Sequence, residues 1–144
     1  MSRFLPEAWM LPIVDDLNRE FFTSGKLLLQ QCVDCQTVQH PPEEVCHQCQ
    51  GMEFVHVESA GRGAVYSFAV MHYPVHAELQ SAVPYAVVLV QLDDHPSVRI
   101  VGNCLDVPPD EVEIDMPVQV TWETLADAET GEQLRMPQWQ AIRR

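Results

Sequence analysis

The sequence predicts a mostly β fold that begins with an N-terminal helix, continues into a four-cysteine ribbon and ends in a small antiparallel β-barrel. Three observations lead to this prediction. An apolar stripe at helical spacing comes first, two C-x-x-C pairs follow it, and short strand-like segments separated by turn residues fill the rest of the chain. The 144 residues divide accordingly into an arm and helix, a ribbon and a barrel, at residues 1–26, 27–58 and 59–144.

The N-terminal part combines an unpatterned arm with one short helix. Residues 1–12 carry many large apolar side chains, so we expect this arm to lie on the chain's own domain or on a partner. A helix is predicted over residues 13–24, because Ile13, Leu17 and Phe21 recur at the i, i+4 spacing that places side chains on one face.

The two C-x-x-C pairs predict a metal site. Each pair places two thiols on one tight turn, and the ten residues between the pairs are enough for a hairpin that brings them together. Four converging thiolates form a tetrahedral site of soft ligands, which suits Zn²⁺, although the spacing leaves iron open. With four protein ligands no position remains for water or substrate, so we expect a structural metal. The predicted ligands are Cys32, Cys35, Cys46 and Cys49.

Other readings of the cysteines and of nearby histidines stay open. A pair of disulfides is disfavoured by the odd count of five cysteines and by a start without an apolar leader. Both features favour a reducing compartment, so we expect a cytoplasmic protein. The fifth cysteine, Cys104, is flanked by apolar residues and is predicted to be a buried, inert thiol. His47 lies inside the second pair and is an alternative ligand, whereas His40 and His56 are predicted at the surface.

The charge of the chain argues against two classes of partner. The formal net charge is −13, from 21 acidic and 8 basic residues, with Lys26 the single lysine and Arg143–Arg144 the one basic pair. Nucleic-acid binding depends on Lys and Arg that neutralise phosphates, so neither nucleic acid nor an anionic membrane is expected. No apolar run in the sequence approaches the roughly 18 residues that a membrane span needs.

After residue 60 the sequence changes to short segments of strand type. Five of them, separated by turn residues, are typical of a small closed barrel. The clearest alternates Val118, Val120 and Trp122 with a polar face that includes Glu123. The predicted strands cover residues 64–73, 84–93, 98–103, 117–125 and 134–142. Core packing is predicted for the aromatic residues Tyr66, Phe68, Tyr73 and Tyr85.

An ordered set of short motifs runs from about residue 13 to residue 125 and is specific as a set. It comprises Phe21-Phe22, Gly25-Lys26-Leu27, the two cysteine pairs, Pro41-Pro42, Gly61-Arg62-Gly63-Ala64, Pro84-Tyr85-Ala86-Val87-Val88 and Val101-Gly102-Asn103. On these motifs the chain resembles the zinc-ribbon plus OB-fold family once called domain of unknown function 35. The resemblance implies a rubredoxin-like zinc ribbon followed by an OB-fold barrel.

The resemblance also implies an accessory role. Members of this family look like non-catalytic scaffold subunits that bind a thiolase-fold enzyme, of the thiolase or steroid side-chain aldolase type, acting on acyl-CoA thioesters. It implies a heteromeric lyase or acyltransferase complex in lipid or steroid metabolism, with a structural Zn²⁺, acyl-CoA as a ligand of the complex and no catalytic residue in this chain. The sequence departs from the family at Gln36 and Gln50, where glycine is usual after each cysteine pair.

One loop of the barrel carries the remaining candidate residues. His72, Tyr73 and His76 end a predicted strand and open the longest loop, so they are predicted to face a partner or a substrate. The alternative function is a stand-alone acyl-CoA-binding protein or hydrolase that uses His72 and His76. A second metal in this loop needs a third ligand, for which Glu78 is the near candidate.

Overall fold

The computed structural model describes residues 4–6 and 9–142. Parts of the predicted arm and the Arg143–Arg144 pair lie outside the described residues. No helix within the described ranges is long and apolar enough to cross a membrane. The elements are helix α1 Arg19–Thr23, strands β1 Leu27–Cys32, β2 Val38–Gln39, β3 Phe54–Ser59, β4 Arg62–Met71, β5 Tyr85–Leu92, β6 Arg99–Asn103, β7 Pro117–Ala126 and β8 Gln133–Ala141, and 3₁₀ turns Ala77–Leu79 and Pro109–Glu111.

The strands form two antiparallel sheets, as the mostly β prediction requires. The ribbon sheet has the order β2-β1-β3, and the barrel sheet has the order β6-β5-β4-β7-β8. Its two edge strands meet through a parallel bridge between Cys104 and Trp139, which closes the sheet into a barrel. The five predicted barrel strands are confirmed, with bounds that differ from the observed ones by no more than two residues.

One cluster of buried side chains joins the helix, the ribbon and the barrel. Phe21 from α1 and Leu27 and Leu29 from β1 belong to the same cluster as Val65 and Trp139 of the barrel. Burial of a large apolar side chain contributes about 1.5–3 kcal/mol. The ribbon and the barrel therefore stabilise each other through this shared core.

The helix prediction is wrong for its first half. The Asp15 carboxylate accepts hydrogen bonds from the backbone N–H groups of Leu17 and Asn18, at 2.9 and 3.0 Å. These bonds hold a local turn that competes with the helix. Ile13, predicted to lie on the buried stripe, has 89% of its surface exposed, so the stripe begins to pack only further along the chain.

The second half of β4 projects beyond the barrel. Its pairing with β7 covers the first three residues of the strand, whereas its pairing with β5 continues to the end. The prediction of core packing is wrong for the aromatic residues Tyr66 and Phe68, which are 46% and 37% exposed. They are exposed because β7 does not flank this part of β4. The prediction is also wrong for Tyr73 in the following loop, at 85% exposed, and right for Tyr85, at 8%.

The described part of the arm lies on the chain's own barrel, which is one of the two predicted positions. The Phe4 ring packs edge-on against Tyr85 with 5.5 Å between ring centres, and the Leu5 N–H donates to Glu123 Oε1 at 2.6 Å. The placement of Glu123 on an outer polar face is wrong, because the arm covers this side chain and leaves 3% of it exposed. Gln138 Nε2 donates to its other oxygen at 2.9 Å, so the buried carboxylate has a partner on each oxygen.

Candidate metal centre

Two tight turns of the ribbon are built alike, one around each cysteine pair. In each turn the first cysteine donates its N–H to a carbonyl five residues later, and its own carbonyl accepts an N–H from four residues later. The bonds are Cys32 N to Thr37 O at 2.9 Å, Gln36 N to Cys32 O at 3.0 Å, Cys46 N to Gly51 O at 2.8 Å and Gln50 N to Cys46 O at 2.9 Å. This repeated pattern gives the two pairs the same local geometry.

The residue that closes each turn lies in the left-handed region. Gln36 has φ 66° and Gln50 has φ 64°, a conformation that glycine adopts without steric penalty. A residue with a side chain costs about 1 kcal/mol or more at such a position. Gln36 gains a compensating hydrogen bond, since its Nε2 donates to Val33 O at 3.1 Å. The chain therefore keeps the turn although it lacks the glycine usual at this position.

The four cysteine sulfurs converge on one point between the two turns. The Sγ atoms of Cys32 and Cys49 are 3.5 Å apart, those of Cys35 and Cys46 are 3.6 Å apart, and all four lie within 4.8 Å of one another. A tetrahedral zinc with Zn–S bonds of about 2.3 Å spaces its sulfurs by about 3.8 Å. Gly51 admits this approach, because a Cβ there would lie 3.3 Å from two of the sulfurs.

The electrostatics of the thiol cluster favour a bound cation. Hydrogen bonding to the side chain and backbone of Thr37 lowers the pKa of Cys35 to about 6. At Cys49 the Gly51 N–H lowers the pKa, but hydrogen bonding to the neighbouring sulfurs Cys35 and Cys32 raises it overall to about 12. A divalent cation at the centre is what stabilises four closely spaced thiolates together.

Family models match two consecutive parts of the chain. Residues 19–55 match "ChsH2, rubredoxin-like zinc ribbon domain" and residues 56–123 match "ChsH2, C-terminal OB-fold domain". The chain is also similar to the solved structure "Ltp2-ChsH2(DUF35) aldolase", with a TM-score of 0.72 and 33% identity over 91% of this chain and 98% of that chain. The chain belongs to the DUF35 family. The zinc ribbon and the OB-fold expected from the motifs are both confirmed.

Curated relatives of this DUF35 chain include longer proteins. A Thermomonospora curvata protein named "Probable enoyl-CoA hydratase alpha subunit" is 38% identical over 77% of this chain and 34% of its own length. The "3-oxo-4,17-pregnadiene-20-carboxyl-CoA hydratase alpha subunit" of Mycobacterium tuberculosis is 33% identical over 81% of this chain and 37% of its own length. The chain therefore spans about a third of each of these two relatives.

Two further DUF35 proteins are archaeal. A "DUF35 domain-containing scaffold protein" of Methanocaldococcus jannaschii is 29% identical over 67% of this chain and 67% of its own length. A solved DUF35 structure of unknown function from Sulfolobus solfataricus has 11% identity and a TM-score of 0.52, over 83% of this chain and 78% of that chain. This second likeness concerns the fold alone.

The predicted loop residues are exposed and do not form a site with one another. His72, Tyr73 and His76 all lie at the surface, and the His76 ring packs edge-on against Trp9 at 5.3 Å between ring centres. Across residues 4–6 and 9–142, the four cysteines are the one group of three or more potential ligands that lie close enough to share a metal. The second metal considered for this loop, with Glu78 as third ligand, thus has no cluster of ligands among the described residues. His47, the alternative ligand of the ribbon, is exposed and does not belong to the cysteine cluster.

Cys104 is a buried thiol, as predicted. Its side chain is 3% exposed, at the bridge that closes the barrel. Burial, together with the nearby Asp106 carboxylate, raises the pKa of Cys104 to about 11. The group therefore remains a protonated, unreactive thiol at neutral pH.

His40 is a further residue that sequence reasoning did not place correctly. It was predicted at the surface but is half-buried, since its ring packs on Phe21 with 4.9 Å between ring centres and its Nδ1 is buried without a hydrogen-bond partner among the described residues. Burial lowers the pKa of His40 from 6.5 to about 4, so the ring is neutral at pH 7. The one sequence signal near it was the Pro41-Pro42 pair that follows it directly.

His40 is expected to make the stability of the chain depend on pH. Between pH 6.5 and about 4 the unfolded chain binds a proton that the folded His40 does not, so stability falls as the pH falls through this window. The full loss in free energy of unfolding, reached below about pH 4, amounts to about 3 kcal/mol. Urea unfolding at pH 7.0 and at mildly acid pH measures this loss of stability. The decline should be smaller in His40→Phe, whereas His56→Phe, at an exposed site, should decline as the wild type does. Equal declines in the wild type and in His40→Phe would show that another group is responsible.

Proposed function

We propose that this chain is a non-catalytic accessory subunit that binds a thiolase-fold enzyme acting on acyl-CoA thioesters. One observation carries the proposal, the likeness over nearly the whole chain to the DUF35 protein of a solved structure named as an aldolase with two components. A chain with the same two domains in the same order is suited to the same kind of assembly. The words "alpha subunit" and "scaffold protein" in the names of relatives support this reading.

One Zn²⁺ per chain, with a structural role, is part of the proposal. Cys32, Cys35, Cys46 and Cys49 would hold it, and the spacing of their sulfurs supports that assignment. When bound, the ion joins the two turns of the ribbon and offers no open position for water or substrate. All five cysteines are unpaired, which suits the reducing cytoplasm.

The partner-facing surface is proposed on the projecting end of β4 and on the loop after it, which includes His72 and His76. Tyr73 and Val75 in this loop are 85% and 69% exposed, and the exposed side chains of Tyr66 and Phe68 precede them on the strand. Exposed aromatic and aliphatic groups in one region mark protein–protein contacts more often than isolated ones do. Acyl-CoA belongs to the proposed complex, and its phosphates would rely mainly on the partner, since this chain has 8 basic residues against 21 acidic ones.

A tagged pull-down from the native cell tests the proposal. We expect a thiolase-fold enzyme in stoichiometric amount in the eluate, identified by mass spectrometry. Tyr73→Asp should reduce its recovery at least about tenfold, because the substitution places a charge in an apolar contact. Met52→Asp places the same charge on a ribbon side chain that is 71% exposed, and should leave recovery unchanged.

Two results would argue for a different function, and a third would relocate the contact. An eluate that contains this chain alone would contradict the accessory role, and equal recovery with Tyr73→Asp would move the contact to another surface. The purified chain is expected to hydrolyse no acyl-CoA. Turnover by the chain alone that disappears with His72→Ala would favour the hydrolase alternative.

A further inference from the structure

An apolar groove of about 540 Å³ runs between the barrel and the parts that precede it. Its floor is formed by outward-facing residues of β5 and β6, and its walls by Phe22 of the helix, Trp9 of the arm and the His40–Pro41 segment of the ribbon. The volume lies within the range of about 300–1,000 Å³ that is usual for small-molecule sites. We name this feature the ribbon–barrel groove.

The floor of the groove is apolar where an exposed sheet face is usually polar. In β5 the residues Ala86, Val88 and Val90 are fully buried in the core, so the alternate residues Val87 and Leu89 point outward to the groove. An antiparallel strand with one solvated face normally alternates apolar with polar residues. Val87 and Leu89 are half-buried, so the arm, the helix and the ribbon cover this face only in part and leave apolar surface open to a ligand.

The charges around the groove differ from those of the chain as a whole. The net charge is −13, yet none of the described residues that line the groove is an aspartate or glutamate, and Arg99 lies at its edge. Arg99 is exposed, stacks 3.8 Å above the ring centre of Tyr66, and takes no part in the ion pair found among the described residues. Glu123, the one buried acid among the described residues, already has both oxygens hydrogen-bonded. Among the described residues, the groove thus offers a cation to a ligand without a competing carboxylate.

One polar atom in the walls lacks a partner. His40 lines the groove, and its Nδ1 is buried without a hydrogen bond among the described residues. A buried polar atom left unpaired costs about 1–3 kcal/mol. Because this atom has essentially no accessible surface, a ligand in the groove cannot reach it unless the wall moves.

We propose that the ribbon–barrel groove binds a small amphipathic organic anion, with its apolar body on Val87, Leu89 and Val101 and its negative end beside Arg99. This ligand site belongs to the chain itself and lies beside the proposed partner contact, because Arg99 stacks on Tyr66 and Trp9 packs on His76. The proposed ligand binding is tested independently of the accessory role, because it is measured on the purified zinc-loaded chain. The ligand class differs from CoA, whose bulk is polar and phosphorylated.

Two fluorescent probes that share one apolar body test the proposal. 1-Anilinonaphthalene-8-sulfonate carries a negative charge, and N-phenyl-1-naphthylamine is the same body without it. We expect saturable binding of both, tighter for the sulfonate at low ionic strength. Dodecanoate should displace the sulfonate probe, whereas dodecanol should displace it more weakly and CoA not at all. Displacement by CoA but not by dodecanoate would overturn the proposal.

Substitutions locate the probes. Arg99→Gln should weaken sulfonate binding about fivefold and leave the neutral probe unaffected, because an exposed charge pair is worth about 1 kcal/mol. Val101→Asp, at a site 61% exposed, should weaken both probes at least about fivefold. Val55→Asp is the matched control on a ribbon strand, 48% exposed, and should change neither. Near-UV circular dichroism of each variant establishes whether the fold is kept. If Val101→Asp does not fold, the result for Arg99→Gln alone decides the test.

Several outcomes would overturn the proposal. The proposal is wrong if neither probe binds the folded chain saturably, or if Arg99→Gln weakens both probes equally. It is also wrong if neither groove substitution changes binding. A dimer that forms with rising concentration and is abolished by Val101→Asp, without probe binding, would instead assign the groove to a second copy of the chain.

Discussion

Replacing Cys46 by serine is expected to release the metal and unfold the ribbon. Cys46 is 1% exposed and its sulfur lies 3.6 Å from that of Cys35, so the hydroxyl would replace a soft ligand at the centre of the site. Structural zinc contributes an apparent 10–16 kcal/mol to the folding of zinc-finger peptides, roughly the whole stability of a domain. We expect metal content to fall from about one ion per chain to nearly none, with a lower thermal midpoint and loss of the proposed complex.

The same substitution at Cys104 is the control for this experiment. Cys104 is also buried, at 3% exposed, but it lies outside the four-sulfur cluster. The Cys104→Ser variant should still bind zinc at the four-cysteine site. Its free energy of unfolding should fall by only about 1–2 kcal/mol, because the substitution buries a hydroxyl. Elemental analysis together with thermal unfolding distinguishes the two variants. A Cys46→Ser protein that is fully folded and binds its partner would refute the structural role of the metal.

Trp139→Ala is expected to destabilise the barrel by about 3–5 kcal/mol. Trp139 is fully buried and bridges the two edge strands of the sheet, and its ring packs so closely on Gly102 that a Cβ there would lie 2.8 Å from Cδ1. Truncation would leave a large cavity at the point where the barrel closes. Since most domains are stable by about 5–15 kcal/mol, part of the population should unfold at moderate temperature.

Urea unfolding followed by circular dichroism measures this loss. The matched control is Trp122→Ala, which removes the same ring from a half-buried position on β7 and should cost clearly less. Similar losses for the two variants would show that the barrel does not depend on closure through Trp139.

Features that depend on nearby residues could be predicted from the sequence. The cysteine cluster follows from two short spacings, and the barrel strands follow from turn residues on either side of each segment. The errors lie where distant parts of the chain decide burial. Glu123 is buried because residue 5 covers it, and Tyr66 is exposed because β7 stops pairing with its strand before reaching it. His40 is half-buried because it packs on Phe21 of a helix almost twenty residues earlier.

The helix error has a different origin. The spacing of Ile13, Leu17 and Phe21 is that of a helix, yet an aspartate and an asparagine within the same segment bond its backbone in another way. Such side chains can cap a helix or replace its first turns, and the spacing of apolar residues does not distinguish the two outcomes. Sequence reasoning therefore located the helix but not its beginning.

The closing bridge of the barrel has a consequence for the order of events during synthesis. All four cysteines lie between residues 32 and 49, so the ribbon can capture its metal while most of the chain is still being translated. The barrel closes through residue 139, and Leu5 is held by Glu123, so neither step can occur before these residues have been synthesised. Contacts between such distant residues form slowly. During synthesis we therefore expect an intermediate in which the zinc ribbon is folded while the barrel sheet is still open. This is the stage at which chaperones would protect the nascent chain.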